Sequence, residues 1–218
     1  MFAERGFETV TIADIAQGAD VAVQTVFNHF ATKEELFFAD RADWVDGAAH
    51  AVRSRPRHQA PLTALRRHFM GTVRRYLQAL ADPEMRAVVA TLDASPALSA
   101  YERELHHESV RRLTAALVEA YPEGGSTRTG ATPSVALRTW ASLTASVWLA
   151  AVRGLLIEQR TELADADRAA EAAVAVERLA EQVLAQLEAT PGIVDCGPAL
   201  DPRPAQLTGW STVGRRAV

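Results

Sequence analysis

Cysteine and lysine are almost missing from this chain. Cys196 is the single cysteine, so no internal disulfide can form, which fits a reducing cytoplasm. Lys33 is the single lysine; every other cation among the 23 Lys and Arg residues is arginine. Positive charge is in short supply as well. The formal net charge is −4, and residues 1–50 set Arg5, Lys33 and Arg41 against nine acidic residues, a local balance of −6. No overall basic surface announces a nucleic-acid partner. The opening residues MFAERGFETV have no basic segment followed by an apolar core, so no secretory signal is expected there. The most apolar stretch, 135–157, is interrupted by Arg138 and Arg153, which predicts a buried helix and no membrane span. Strand alternation and hairpin turns are not seen. The stretch PEGGSTRTG lacks the Gly-Lys-Ser/Thr ending of a phosphate loop. His106 and His107 are adjacent, about 100° apart around a helix, and so a poor pair for one metal. Cys196 has no histidine near it in sequence for thiol chemistry. No catalytic residues, metal or cofactor are expected.

What is present is helical spacing. A 48% hydrophobic composition is enough for a sizeable core, and the pattern predicts an all-α protein. Gly6 stops a helix that ends over 1–5. Thr11 caps the segment TIADIAQGA, with Asp14 in its first turn and Ile12, Ile15 and Ala16 facing inward. GADV is a tight turn. VAVQTVFNH is a second short helix, with Val26 and Phe30 facing inward. Thr32 caps a third, with Glu34 and Glu35 in its first turn, running on through Leu36, Phe37, Ala39, Trp44 and Val45. SRPRHQAP, residues 54–61, breaks the pattern and marks a boundary. Further helical stripes run over 62–81, from Pro83 to about Leu92, from Pro96 to Tyr121, over 133–157 and over 165–189. Residues 122–133 are a loop. The Pro- and Gly-rich tail, 190–218, has no periodicity and is expected to be disordered. The expected organisation is an N-terminal unit over 1–53 and a larger helical unit over 62–189.

The short helices from Thr11 and Ala22, joined by GADV, read as a helix-turn-helix over 11–30. In that motif the second helix enters the major groove of DNA while the first braces it against the backbone. Its outward candidates are Val23, Gln24, Thr25, Phe27, Asn28 and His29. Gln24 and Asn28 are four apart and share a face, and their amides can read adenine edges through paired donor and acceptor groups. Thr25 and His29 can bond to phosphates. Lys33 sits at a helix N-terminus, where a cation is ordinarily unfavourable. A docked phosphate would account for it.

The stretch GFETVTIADIAQGADVAVQTVFNHFATKEELF, about 32 residues, resembles the N-terminal DNA-binding domain of the tetracycline-repressor family. The shared pattern is a Gly-Phe pair, a Thr cap, Ile-Ala in the first helix, Val at the turn, Thr-hydrophobic-aromatic, and His-Phe followed by Thr-Lys-Glu-x-Leu. The resemblance implies an all-helical homodimer that acts as a ligand-responsive, cytoplasmic repressor on a palindromic DNA operator. A small apolar or aromatic effector would release the DNA. Thr25, Phe27, Asn28, His29 and Lys33 are carried over as DNA-contacting residues, with Thr11 at the backbone. The effector is expected between the helices of 62–121 and 133–157, with Phe69, Leu105, Trp140, Thr144 and Trp148 as pocket residues. The dimer interface is expected from 133–160 and 165–189. Two departures stand out. The family's opening helix normally begins many residues earlier, so a truncated first helix is expected to leave Phe2 and Phe7 without support. The position of Phe27 is often tyrosine, whose hydroxyl a phenylalanine lacks. The alternative is a helical small-molecule-binding protein that no longer reads DNA, motivated by the short N-terminus and the local charge of −6. An enzyme would need clustered titratable groups, which the apolar stripes do not offer.

Overall fold

Helix starts in this chain are written in capping residues, and the computed structural model, which describes residues 1–39, 42–121, 133–157, 160 and 169–189, follows them closely. The described helices are α1 (Phe2–Arg5), α2 (Ile12–Gly18), α3 (Val23–His29), α4 (Lys33–Phe37), α5 (Ala42–Arg53), α6 (Pro61–Ala79), α7 (Pro83–Ala94), α8 (Pro96–Ala120), α9 (Val135–Leu156) and α10 (Ala169–Ala189). No strand occurs among the described residues. Prolines open α6, α7 and α8, where the missing N–H costs nothing. Asp82, Ser95 and Ser134 cap α7, α8 and α9 by accepting from backbone N–H groups. Gly6 ends α1 at φ 79°, a left-handed conformation open to glycine. The expected tail over 190–218 lies outside the described residues, as does most of the expected loop over 122–133.

Most of the core lies in the larger unit. Ala48, Ala49 and Val52 of α5 pack with Leu65, Phe69 and Val73 of α6, Leu113 and Leu117 of α8, and the inner faces of α9 and α10. Helix α5, placed by sequence with the N-terminal unit, is thus embedded among the C-terminal helices. By length and composition α9 would suffice to cross a membrane. Here one face of it packs into the core, with Trp140, Thr144 and Trp148 buried along it.

The expected continuous third helix is two helices. Helix α4 ends at Phe37, where the Phe38 N–H turns back to the carbonyls of Glu34 and Leu36. The physical reason is Phe38 itself, 7% exposed. Its ring stacks on Tyr101 at 5.4 Å and meets Phe37 edge-on at 5.2 Å. Burying an aromatic ring is worth roughly 1.5–3 kcal/mol, more than the loss of a helical bond or two on the surface.

The same aromatic cluster overturns the expectation that Phe2 and Phe7 lack support. Phe7 is 3% exposed and packs with Phe38, Leu92 and Leu98, while Phe2, Phe37 and Tyr101 close the cluster from outside. Phe2 lies 5.3 Å from Phe7 and 5.6 Å from Phe37. The support comes from α7 and α8 of the larger unit. A polar bond reinforces it: the buried Ser95 hydroxyl, which caps α8, donates to Glu8 at 2.8 Å.

An ion network lies behind this joint. Arg160 donates to Glu102 at 2.5 Å and to Asp93 at 2.8 Å, with its Nε 3.3 Å from the Tyr76 hydroxyl. Arg160 and Glu102 are both buried. Burial works against the guanidinium charge, but bonds to Glu102 and Asp93 outweigh it and hold the pKa above its ordinary value. These groups stand 58 and 67 residues apart in sequence, and no local pattern pairs them.

Candidate nucleic-acid interface

The N-terminal elements are built to expose α3. Thr11 and Asp14 form a reciprocal capping box on α2: Asp14 N–H donates to the Thr11 hydroxyl at 3.1 Å, and Thr11 N–H donates to the Asp14 carboxylate at 2.8 Å. The hydrogen bonds from Thr11 are the main reason that the Asp14 carboxyl titrates below its usual range, and Arg5 at 3.7 Å adds to the effect. Ala16 faces inward from α2 and Val26 from α3. In the turn between them Asp20 takes φ 53°, a conformation that Asp tolerates better than most residues, and Val21 N–H closes back on the Ala16 carbonyl at 2.9 Å.

With Val26 spent on packing, the remaining face of α3 is free. Val23, Gln24, Thr25, Phe27, Asn28 and His29 are all exposed. Phe27 is 48% exposed, well beyond what an aromatic held for packing would show. Gln24 and Asn28 lie one turn apart as the spacing predicts, and the Gln24 amide donates to the Asn28 carbonyl oxygen at 3.1 Å. Two exposed amides that satisfy each other must release that bond before either engages a base edge in a bidentate manner.

Lys33 is turned to another use. Its Nζ donates to the Phe7 carbonyl at 2.7 Å and the Val10 carbonyl at 3.1 Å, and sits 4.2 Å from the centre of the Phe7 ring. The ammonium thus ties the loop before α2 to the start of α4, which accounts for a cation at a helix N-terminus without a phosphate. Sequence spacing does not find this contact, because its acceptors are backbone atoms 26 and 23 residues upstream. Thr11, expected at the DNA backbone, has its hydroxyl committed to the α2 cap.

The five residues expected to line an effector pocket lie in two places: Phe69, Trp140 and Trp148 are in the larger core with Thr144 buried on α9 beside them, and Leu105 borders the other cluster. Phe69 and Trp148 stack at 6.2 Å, and Trp140 meets Tyr121 edge-on at 4.8 Å, so these rings fill the core. Leu105 belongs to the other cluster, beside Phe38 and Leu98. Phe69, Trp140, Thr144 and Trp148 are buried, as their periodicity predicts, and Phe69 also borders a small cavity of about 40 Å3 with Trp44, His106 and Leu149. Two polar atoms on α9, Thr144 Oγ1 and Trp148 Nε1, have no hydrogen-bond partner among the described residues.

Comparison with known proteins agrees with the geometry. Residues 1–39 match the family described as bacterial regulatory proteins, tetR family. Over 63 residues the chain is 38% identical to the HTH-type transcriptional repressor KstR2 of Mycobacterium tuberculosis, covering 24% of this chain and 32% of that protein. Over 92 residues it is 30% identical to the HTH-type transcriptional regulator TcmR of Streptomyces glaucescens, covering 42% of this chain and 39% of that one. The matched stretches span about a third to two fifths of the relatives' length. The matched segment contains the exposed α3, and over residues 1–39 this chain is similar to the tetR family of bacterial regulatory proteins.

Proposed function

We propose that this protein is a transcriptional regulator that binds a palindromic operator as a homodimer and is released from it by a small effector. The observation that carries the reading is α3: a seven-residue helix, held by a capped partner helix, whose exposed residues can all contact DNA. Gln24 and Asn28 supply base readout, Thr25 and His29 bond to phosphates, and Val23 and Phe27 offer apolar contact to thymine methyls or sugars. Thr11 contributes at the backbone through the N-terminal end of α2. Lys33 acts by holding the support of α3 in place. The first unit is residues 1–53 and the second 62–189, with α5 as the mechanical link between them.

Dimer formation is supported by apolar side chains left outside the core. Val135, Leu143 and Val147 on α9, with Val174 and Leu179 on α10, are exposed although both helices bury their opposite faces. A second copy would cover them in a four-helix arrangement about a two-fold axis. Effector response is supported by the unpartnered Thr144 Oγ1 and Trp148 Nε1, one turn apart on α9. Each unsatisfied buried polar atom costs about 1–3 kcal/mol, which a ligand offering a polar group to both would recover. Such a ligand must part Trp148 from Phe69, and that displacement would shift the population of conformers through α5 and α6.

Selection of bound DNA from a random pool tests the reading. Enrichment of a palindrome is expected, and Asn28→Ala should alter the preferred bases at one position of each half-site. If Asn28→Ala leaves the preference unchanged, base readout lies elsewhere. A second reading, a helical small-molecule-binding protein that does not bind DNA, is favoured by the −6 charge of residues 1–50. Absence of any enriched sequence would select it.

A further inference from the structure

Helix α6 carries two adjacent arginine pairs, Arg66–Arg67 and Arg74–Arg75, eight residues apart. The first member of each pair is neutralised by α10: Arg66 pairs with Glu188 at 2.5 Å and Arg74 with Glu177 at 2.6 Å. The second members point the other way. Arg67 and Arg75 line a groove of about 380 Å3 between α5 and α6, and Arg55 is part of the same lining. None of these three guanidinium groups is within salt-bridge distance of a carboxylate among the described residues.

Their hydrogen-bond partners are neutral. Arg55 donates to the carbonyls of Val52 at 2.6 Å and Gln59 at 3.2 Å. Arg67 donates to the Gln59 side chain at 3.0 Å, and Arg75 to the Thr72 hydroxyl at 3.3 Å. These bonds orient the cations without cancelling their charge. The floor is kept open by small residues, Gly47 and Ala51 on α5 and Ala64 and Gly71 on α6. Asp43 is the single carboxylate among the lining residues, so with neutral histidines the groove carries a balance of +2. Arg67 and Arg75 are two helical turns apart, about 12 Å along the axis, which suits an elongated ligand better than a single small ion.

We propose that this groove binds a small organic polyanion, a phosphate ester or polycarboxylate with anionic groups spread over about two helical turns. Guanidinium forks favour such oxyanions, and Ser54 and His50 add hydrogen-bonding side chains to the groove's lining. The site is separate from α3 and from the aromatic core, and it stands whether or not the chain reads DNA.

Calorimetric titration of the full chain with tripolyphosphate and with citrate, at low ionic strength, tests it. One of the two should bind with a dissociation constant below 1 mM, and inorganic phosphate more weakly, an expectation based on paired charge-assisted bonds of roughly 1.5–3 kcal/mol each. Tighter tripolyphosphate marks a phosphate ligand; tighter citrate marks a carboxylate one. R67Q/R75Q should weaken binding at least tenfold with unchanged helicity and melting temperature, since neither side chain holds an ion pair. Ser54→Asp, which adds an opposing charge to the lining, should weaken it several-fold. Asn28→Ala, on α3, should leave it unchanged. No heat from either probe, or equal affinity in wild type and R67Q/R75Q, overturns the proposal. So does a loss in the double variant confined to non-specific duplex DNA, which would assign these arginines to a nucleic-acid backbone.

Discussion

Replacing Glu102 by alanine attacks the one ion pair among the described residues in which both charges are buried. The carboxylate accepts from Arg160 Nη2 at 2.5 Å and from Nη1 at 3.4 Å, and the two residues are 6% and 5% exposed. Without Glu102, the guanidinium keeps Asp93, whose side chain is 46% exposed, and the Tyr76 hydroxyl. Removing one partner of a buried pair costs about 3–5 kcal/mol, because the remaining charge stays desolvated. Since Asp93 remains, a loss near the lower end, about 3 kcal/mol, is expected. For a chain of this size that is a fall in melting temperature of about 6–12 °C. Circular dichroism during thermal and urea denaturation would measure it. Glu119→Ala is the control: it breaks the Arg53–Glu119 pair, whose side chains are 44% and 57% exposed, and should cost less than about 1 kcal/mol. The double variant E102L/R160M removes both charges while keeping apolar volume, and should recover most of the stability. If Glu102→Ala proves as mild as Glu119→Ala, or E102L/R160M is no more stable than Glu102→Ala, the reasoning fails.

Lys33→Ala should lower stability by about 1–3 kcal/mol, since it leaves the Phe7 and Val10 carbonyls without their donor. If Lys33 only supports α3, the salt dependence of DNA binding keeps its slope; a slope reduced by about one would show a phosphate contact instead. His68 should make the fold acid-sensitive. Burial, aided by Arg75, lowers its pKa to about 4, against an opposing pull from Asp43. The unfolded chain therefore takes up the proton first. Stability is full above about pH 6.5 and falls by at most about 3 kcal/mol as pH drops towards 4. His68→Gln should flatten that part of the pH profile, and an unchanged profile would refute the assignment. Gly47→Ala sets a methyl 2.7 Å from His68 Cε1, so it should displace the ring and raise its pKa, readable by NMR titration.

Local rules carried most of the fold. Thr11, Thr32, Ser95 and Ser134 cap helices, and Pro61, Pro83 and Pro96 begin them, because capping and proline geometry depend on a few neighbouring atoms. The exposed face of α3 was legible for the same reason: once Val26 is assigned inward, helical geometry fixes the rest. The break after Phe37 was not legible, because no proline or glycine marks it; it depends on Tyr101, which lies more than sixty residues away. The contacts of Lys33 were not legible, because its acceptors are backbone carbonyls of Phe7 and Val10, far upstream in sequence. Periodicity showed that Trp140 and Trp148 turn inward, but it carries no information on whether neighbouring side chains leave a void. The groove between α5 and α6 escaped for a related reason: Arg67 and Arg75 are indistinguishable in sequence from Arg66 and Arg74 until α10 supplies its glutamates to one set only.

The aromatic joint bears on how freely such a protein can be recombined. Phe2, Phe7, Phe37 and Phe38 come from one side and Leu92, Leu98 and Tyr101 from the other, with the Ser95–Glu8 bond across the seam. A chimaera cut between α4 and α5, which leaves α5 in the larger core, would set a foreign N-terminal segment onto a socket shaped for these four phenylalanines. Such a graft would inherit a loose seat. A successful exchange would carry the matching surface of α7 and α8 with the segment and leave α5 in the larger core, so the transferable module is discontinuous in sequence: residues 1–38 together with the faces of 92–105 that receive them.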